Sequence, residues 1–120
     1  MAITVTGLNN PIGAAIWYDT SLNATAQTDI RAGSTTVYVM QLDNTANSAA
    51  TYVCLYDNGA PTVGTTAPDF VFKVPANAKV NWTCLEGMAF TNLSLCAKTT
   101  AGTAGTTNPV SAFAIRIQLT

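Results

Sequence analysis

The sequence predicts an all-β fold, an antiparallel β-sandwich of jelly-roll or Ig-like type. Three observations carry the prediction. From residue 35 to the C-terminus, apolar and polar side chains alternate with a period of two. Gly, Pro, Asn and Thr break these alternating segments at regular spacing. No segment carries the apolar stripe that a helix of about 3.6 residues per turn requires. The length of 120 residues suits one domain with a core of its own.

The elements follow in chain order. Residues 1–34 are rich in Asn, Ala and Thr, with isolated large side chains at Ile12, Ile16, Trp17, Tyr18 and Leu22. They read as an N-terminal arm that packs on a neighbouring molecule, or as a first strand and loop. Those five residues are the candidate interface, with Trp17 as its anchor if it is exposed. "NATAQTDIRAG" offers at most one helical turn. Residues 35–120 form the sandwich. "TTVYVMQLD" (35–43) is β-branched and aromatic, as strands prefer. "NTANSAA" has the character of a hairpin loop, and "TYVCLYD" (51–57) alternates Tyr52, Cys54 and Tyr56 against Val53 and Leu55. "DFVFKV" (69–74) puts Phe70, Phe72 and Val74 on one face, and Pro75 ends it because it has no N–H to donate. "KVNWTC" (79–84) separates Val80, Trp82 and Cys84 from Lys79, Asn81 and Thr83. "EGMAF" reads as a turn into "NLSLCAK" (92–98). In "SAFAIRIQL" (111–119), Phe113, Ile115, Ile117 and Leu119 face in while Ala114, Arg116 and Gln118 face out.

One figure, Gly-Thr-Thr-x-Pro, occurs twice, beginning at Gly64 and at Gly105. Gly permits a positive φ, and Pro pushes the residue before it into an extended conformation. Each copy therefore reads as a turn that opens a strand, with both copies at one end of the sandwich.

Composition narrows the function classes. Charged residues make up only 9% of the chain, against a typical value of about 25%. The surface is left to Thr, Ala, Asn and Gly, which suits it to lying against another protein. Arg31, Lys73, Lys79, Lys98 and Arg116 are scattered, so the basic stripe that nucleic acid needs is missing. No apolar run approaches the ~20 residues of a membrane span. "MAITVTGLNN" lacks the basic and apolar regions of a secretion signal, so synthesis in a cytoplasm is expected. Cys54, Cys84 and Cys96 fall inside apolar stretches and read as buried thiols, of which one pair could meet across strands.

Catalytic chemistry is scarce. The chain has no His, which removes the commonest general base and metal ligand. Asp43, Asp57 and Asp69 sit in "LDNT", "YDNG" and "PDF", where carboxylates cap turns, although Asp57 and Asp69 could approach each other. "GTAGTT" lacks the Lys of a phosphate loop. No enzyme activity, cofactor or metal is expected. Trp17, Tyr38, Tyr52, Tyr56 and Trp82 are candidates for a sugar-stacking platform, or else core.

Residues 42–115 run D-N-T, V-C-L-Y-D, A-P-T-V-G-T-T-A-P, V-P-A and G-M-A-F, then a closing strand. This order resembles a family of small virion proteins of tailed bacteriophages. The resemblance implies an all-β sandwich with a structural role: capsid decoration (cement), head fibre or tail component. The expected partners are the major capsid protein and further copies of the chain, as a ring or trimer, on the capsid exterior. The alternative is a fibre or tail module that binds a host receptor or glycan. Neither nucleic acid nor membrane is an expected partner.

Overall fold

The computed structural model describes residues 15–120. Seven strands follow in order: β1 (Ala15–Asp19), β2 (Thr35–Asp43), β3 (Thr51–Asp57), β4 (Phe70–Val74), β5 (Lys79–Phe90), β6 (Leu93–Lys98) and β7 (Ala114–Leu119). They form two antiparallel sheets, ordered β1-β7-β2-β5 and β4-β3-β6. Among the described residues there is no helix.

The pairing is nested, as in a long hairpin folded over on itself. β1 pairs β7, residue 27 bridges residue 95 in β6, β2 pairs β5, and β3 pairs β4. β7–β2 and β6–β3 complete the sheets. This is jelly-roll order with one strand reduced to a fragment. That fragment is residues 22–30. Leu22 N–H donates to the Phe113 carbonyl, Gln27 and Leu95 exchange two bonds, and Ile30 N–H donates to Leu93, at 2.8–3.0 Å. These bonds cover the outer edge of β6, so residues 15–34 supply a first strand and a loop. Among the described residues, β1, β5 and β4 have one edge each with no strand paired to it.

Alternation builds the core. Phe113, Ile115, Ile117 and Leu119 are buried, while Arg116 is exposed. They meet Val53 and Leu55 of β3, Leu93 and Leu95 of β6, and Val37, Met40 and Leu42 of β2. Each such side chain contributes about 1.5–3 kcal/mol of transfer free energy. Phe72 and Trp82 pack edge-on at 5.3 Å, and Phe70 and Phe90 at 5.9 Å, which ties β4 to β5 across the two sheets.

The segment "EGMAF" corrects the sequence-based expectation. It is no turn: β5 runs unbroken through it to Phe90. Pairing with β2 jumps from Val39↔Thr83 to Val37↔Met88, so residues 84–87 bulge opposite Tyr38. Gly87 makes the bulge feasible at φ +82°, and a Cβ there would collide with the Thr36 methyl and the Tyr38 ring. The Gly-Met dipeptide thus marks a bulge inside a strand. Gly87→Ala is expected to lower stability by about 2 kcal/mol, read as a reduced urea midpoint at unchanged m-value.

The two Gly-Thr-Thr-x-Pro copies touch each other. Gly64 and Gly105 have φ +92° and +97°, and a Cβ on Gly64 would lie 2.8 Å from the Thr106 methyl. The copies belong to two loops, residues 58–69 and 99–113, lying over the outer face of the three-stranded sheet. Beneath this roof sits a second apolar cluster of Cys54, Tyr56 and Cys96, with Val63 packed on it. Beside it, Lys98 is completely buried. Its Nζ donates to the carbonyls of Gly102, Thr103, Ala104 and Gly105 at 2.8, 3.1, 3.2 and 3.3 Å. The doubled figure is therefore a two-part lid on one sheet, and the ammonium stitches one of its loops down.

Candidate interaction surface

The outer face of the four-stranded sheet is the most developed open surface. In β1, alternation turns Ile16 and Tyr18 outward and Ala15 and Trp17 toward the core. Ile16 and Tyr18 are 57% and 58% exposed. Register then aligns one row across all four strands: Tyr18↔Arg116, Arg116↔Gln41, Gln41↔Asn81. The Arg116 guanidinium carbon lies 5.5 Å from the Tyr18 ring centroid, a cation–π contact that fixes the direction of both side chains. Next to this row, Lys79 Nζ and Asp43 Oδ2 are 3.7 Å apart. The Thr45 hydroxyl and N–H donate to Asp43 at 2.6 and 3.0 Å. Those two bonds, more than the Lys79 charge, hold the Asp43 carboxyl below its usual range.

These side chains line a shallow depression of about 460 Å³, with Tyr18 as its one aromatic. It offers amide, guanidinium, ammonium and carboxylate groups beside a single ring. Such a set binds by hydrogen bonding and stacking; it holds no nucleophile aligned with a base. Among the described residues there is no group of three or more His, Cys, Asp or Glu placed to hold a metal.

The carboxylates that the sequence allowed to converge are occupied with main-chain bonds. Asp69 Oδ2 accepts from Asp57 N–H at 2.6 Å. Asp57 Oδ1 accepts from the N–H groups of Thr91 and Asn92 at 2.8 and 2.9 Å. They cap the ends of β3 and β5.

The five interface candidates fall in different places. Ile16 and Tyr18 share the outer face. Trp17 is half-buried and packs on the core, so it is not a bare anchor. Leu22 is 1% exposed and belongs to the core of its own chain, which removes it from any interface. The cause is its N–H bond to Phe113, which draws the loop under the sheet edge. Ile12 lies outside the described residues. Of the aromatics considered for sugar stacking, Tyr56 is buried and Trp82 packs against the core. Sequence reasoning did not single out Gln41, Asn81 and Arg116 as one site. Their outward phase was readable, but register was needed to align them.

Elsewhere Phe70 and Val71, on opposite faces of β4, are 42% and 41% exposed, and Leu85, on the β5 bulge, is 80% exposed.

The fold and these surfaces define a jelly-roll sandwich with one open sheet face, on which Arg116, Lys79 and Asp43 stand beside Tyr18. No family model, curated protein or solved structure matches the chain.

Proposed function

We propose that the chain is a structural protein of a bacteriophage virion, a capsid decoration (cement) protein that binds the capsid lattice from outside as a homo-oligomer. One observation carries the reading beyond the sequence resemblance of residues 42–115. Among the described residues, none covers a broad sheet face with Ile16 and Tyr18 at its margin. A cement protein needs such a face, stiff and wide, and the chain as a whole, with 9% charged residues, has few charges to desolvate. The edges of β1, β4 and β5 that no described strand pairs give copies a means of joining by strand pairing. Jelly rolls recur in viral capsid and lectin domains, which favours the reading by analogy of fold alone.

The alternative is a fibre or tail module that takes a host receptor or glycan in the depression beside Tyr18. It has one ring to stack on rather than two, so it stands second.

Gel densitometry of purified particles against the major capsid protein tests the proposal. Many copies per particle are expected, and particles lacking the protein should lose resistance to heat and low salt. The double variant Ile16→Asp, Tyr18→Asp should fold normally yet bind particles at least about tenfold more weakly. A few copies confined to the tail tip, with binding on a glycan array, would favour the alternative. Absence from particles would refute both.

A further inference from the structure

The roofed cluster on the three-stranded sheet contains the one arrangement of reactive groups in the described chain. Cys54 of β3 and Cys96 of β6 are direct register partners. Partners across an antiparallel pair have Cα atoms about 4.5–5.5 Å apart, inside the ~4.4–6.8 Å span that a disulfide bridges. Both side chains point to the same face and both are fully buried. The Tyr56 hydroxyl lies 3.7 Å from Cys96 Sγ. Lys98 follows Cys96 by two residues on the same face of β6.

We propose that Cys54 and Cys96 are a redox-active pair that closes to a cross-strand disulfide by exchange with a small-molecule disulfide. The Cys96 thiolate attacks one sulfur of R–S–S–R, forming Cys96–S–S–R and releasing R–S⁻. That thiolate takes the proton of Cys54. The Cys54 sulfur then attacks Cys96 Sγ, breaks its bond to R–S and releases a second R–S⁻. The two protein thiols are oxidised and one small disulfide is reduced to two thiols.

The surroundings divide the roles. The Cys54 S–H donates to Cys96; the Tyr56 hydroxyl and the Lys98 charge add to this, holding the Cys96 thiol at about 7 despite its burial. The Cys54 thiol is pushed up by its bond to Cys96 and by burial. Cys96 is thus the attacking sulfur and Cys54 the resolving one. Access comes from local opening of the roof, in which Val63 packs on the pair and the two Gly-Thr-Thr-x-Pro turns touch each other. The closed bond would clamp β3 to β6 independently of where the chain works, so this inference does not rest on the proposed function.

The test uses the full chain and oxidised glutathione. Thiols are counted under denaturing conditions after native incubation, and the linked peptides are identified by mass spectrometry. The count should fall from three to one, with Cys84 left free and Cys54 joined to Cys96. The rate should drop as pH falls below about 7, because the Cys96 thiolate is lost. Low urea should accelerate it by opening the roof. Cys54→Ser should stop at a glutathione adduct on Cys96, whereas Cys96→Ser should show no adduct on Cys54. The proposal is overturned if wild-type protein keeps all three thiols both in buffer and in sub-denaturing urea, or if Cys84 supplies one end of the bond.

Discussion

Asn44→Ala is expected to cost about 4 kcal/mol, a large loss for a single polar side chain. Asn44 follows β2 directly and is fully buried. Its Nδ2 donates to the carbonyls of Ala49, Val74 and Pro75 at 3.0, 3.2 and 3.0 Å. Its Oδ1 accepts from the Thr51 hydroxyl at 2.8 Å. One amide therefore joins the end of β2, the start of β3 and the end of β4. Ala would leave the Val74 carbonyl and the Thr51 hydroxyl unmet in a buried site, each at a cost of about 1–3 kcal/mol, while the Ala49 and Pro75 carbonyls lie nearer the surface. Asn44→Asp keeps the acceptor but turns a carboxylate toward three carbonyls. Burial and those carbonyls would raise the pKa of the new acid, so its neutral, donating form is favoured in the folded state. The Asp variant should therefore gain stability as pH falls toward about 4, opposite to the usual acid destabilisation. Urea unfolding of both variants across pH checks both statements.

Lys98→Met is expected to cost about 3 kcal/mol and to free the loop it holds. Hydrogen bonds to a charged group are worth about 1.5–3 kcal/mol each, but part of that is returned when the loop carbonyls meet water. Four carbonyls surround a compact ammonium here, and no carboxylate is in the shell. Lys98→Arg should rescue little, because a planar fork does not fit a shell built round a point cation. Hydrogen exchange is the discriminating measurement. Amides of residues 99–107, including Thr99, whose N–H donates to Thr107 at 3.1 Å, should lose protection. Those in β7 should exchange faster only to the extent that global stability falls.

Much of the sandwich was readable because its strands keep one face wet. In β7 every second residue is buried, and in β5 as far as Cys84 every second residue is half-buried between exposed ones. β6 shows where that stops. All six of its residues are buried, although "LSLCAK" looks like a half-exposed strand. Two loops, residues 58–69 and the residues that follow β6 directly, fold back over its second face, and no pattern within the strand announces them. The fate of Lys98 was hidden for the same reason: a lysine at a strand end is ordinarily solvated, and only the returning loop supplies the carbonyls. The doubled Gly-Thr-Thr-x-Pro was legible as two turns but not as one contact, since that contact spans separate hairpins. At the candidate surface, the outward phase of Ile16 and Tyr18 follows from five alternating residues. The burial of Leu22 does not, because it depends on a main-chain bond to residue 113.

The place of β7 carries a consequence for biosynthesis. It follows β1 and β2 in the chain, yet it lies inside their sheet, between the two. Until residues 114–119 emerge, the nascent polypeptide holds β1 and β2 without the strand that joins them, so that sheet cannot close before then. A stop codon anywhere before residue 114 would therefore remove a keystone instead of a fringe, and such shortened products should accumulate as insoluble material or be degraded.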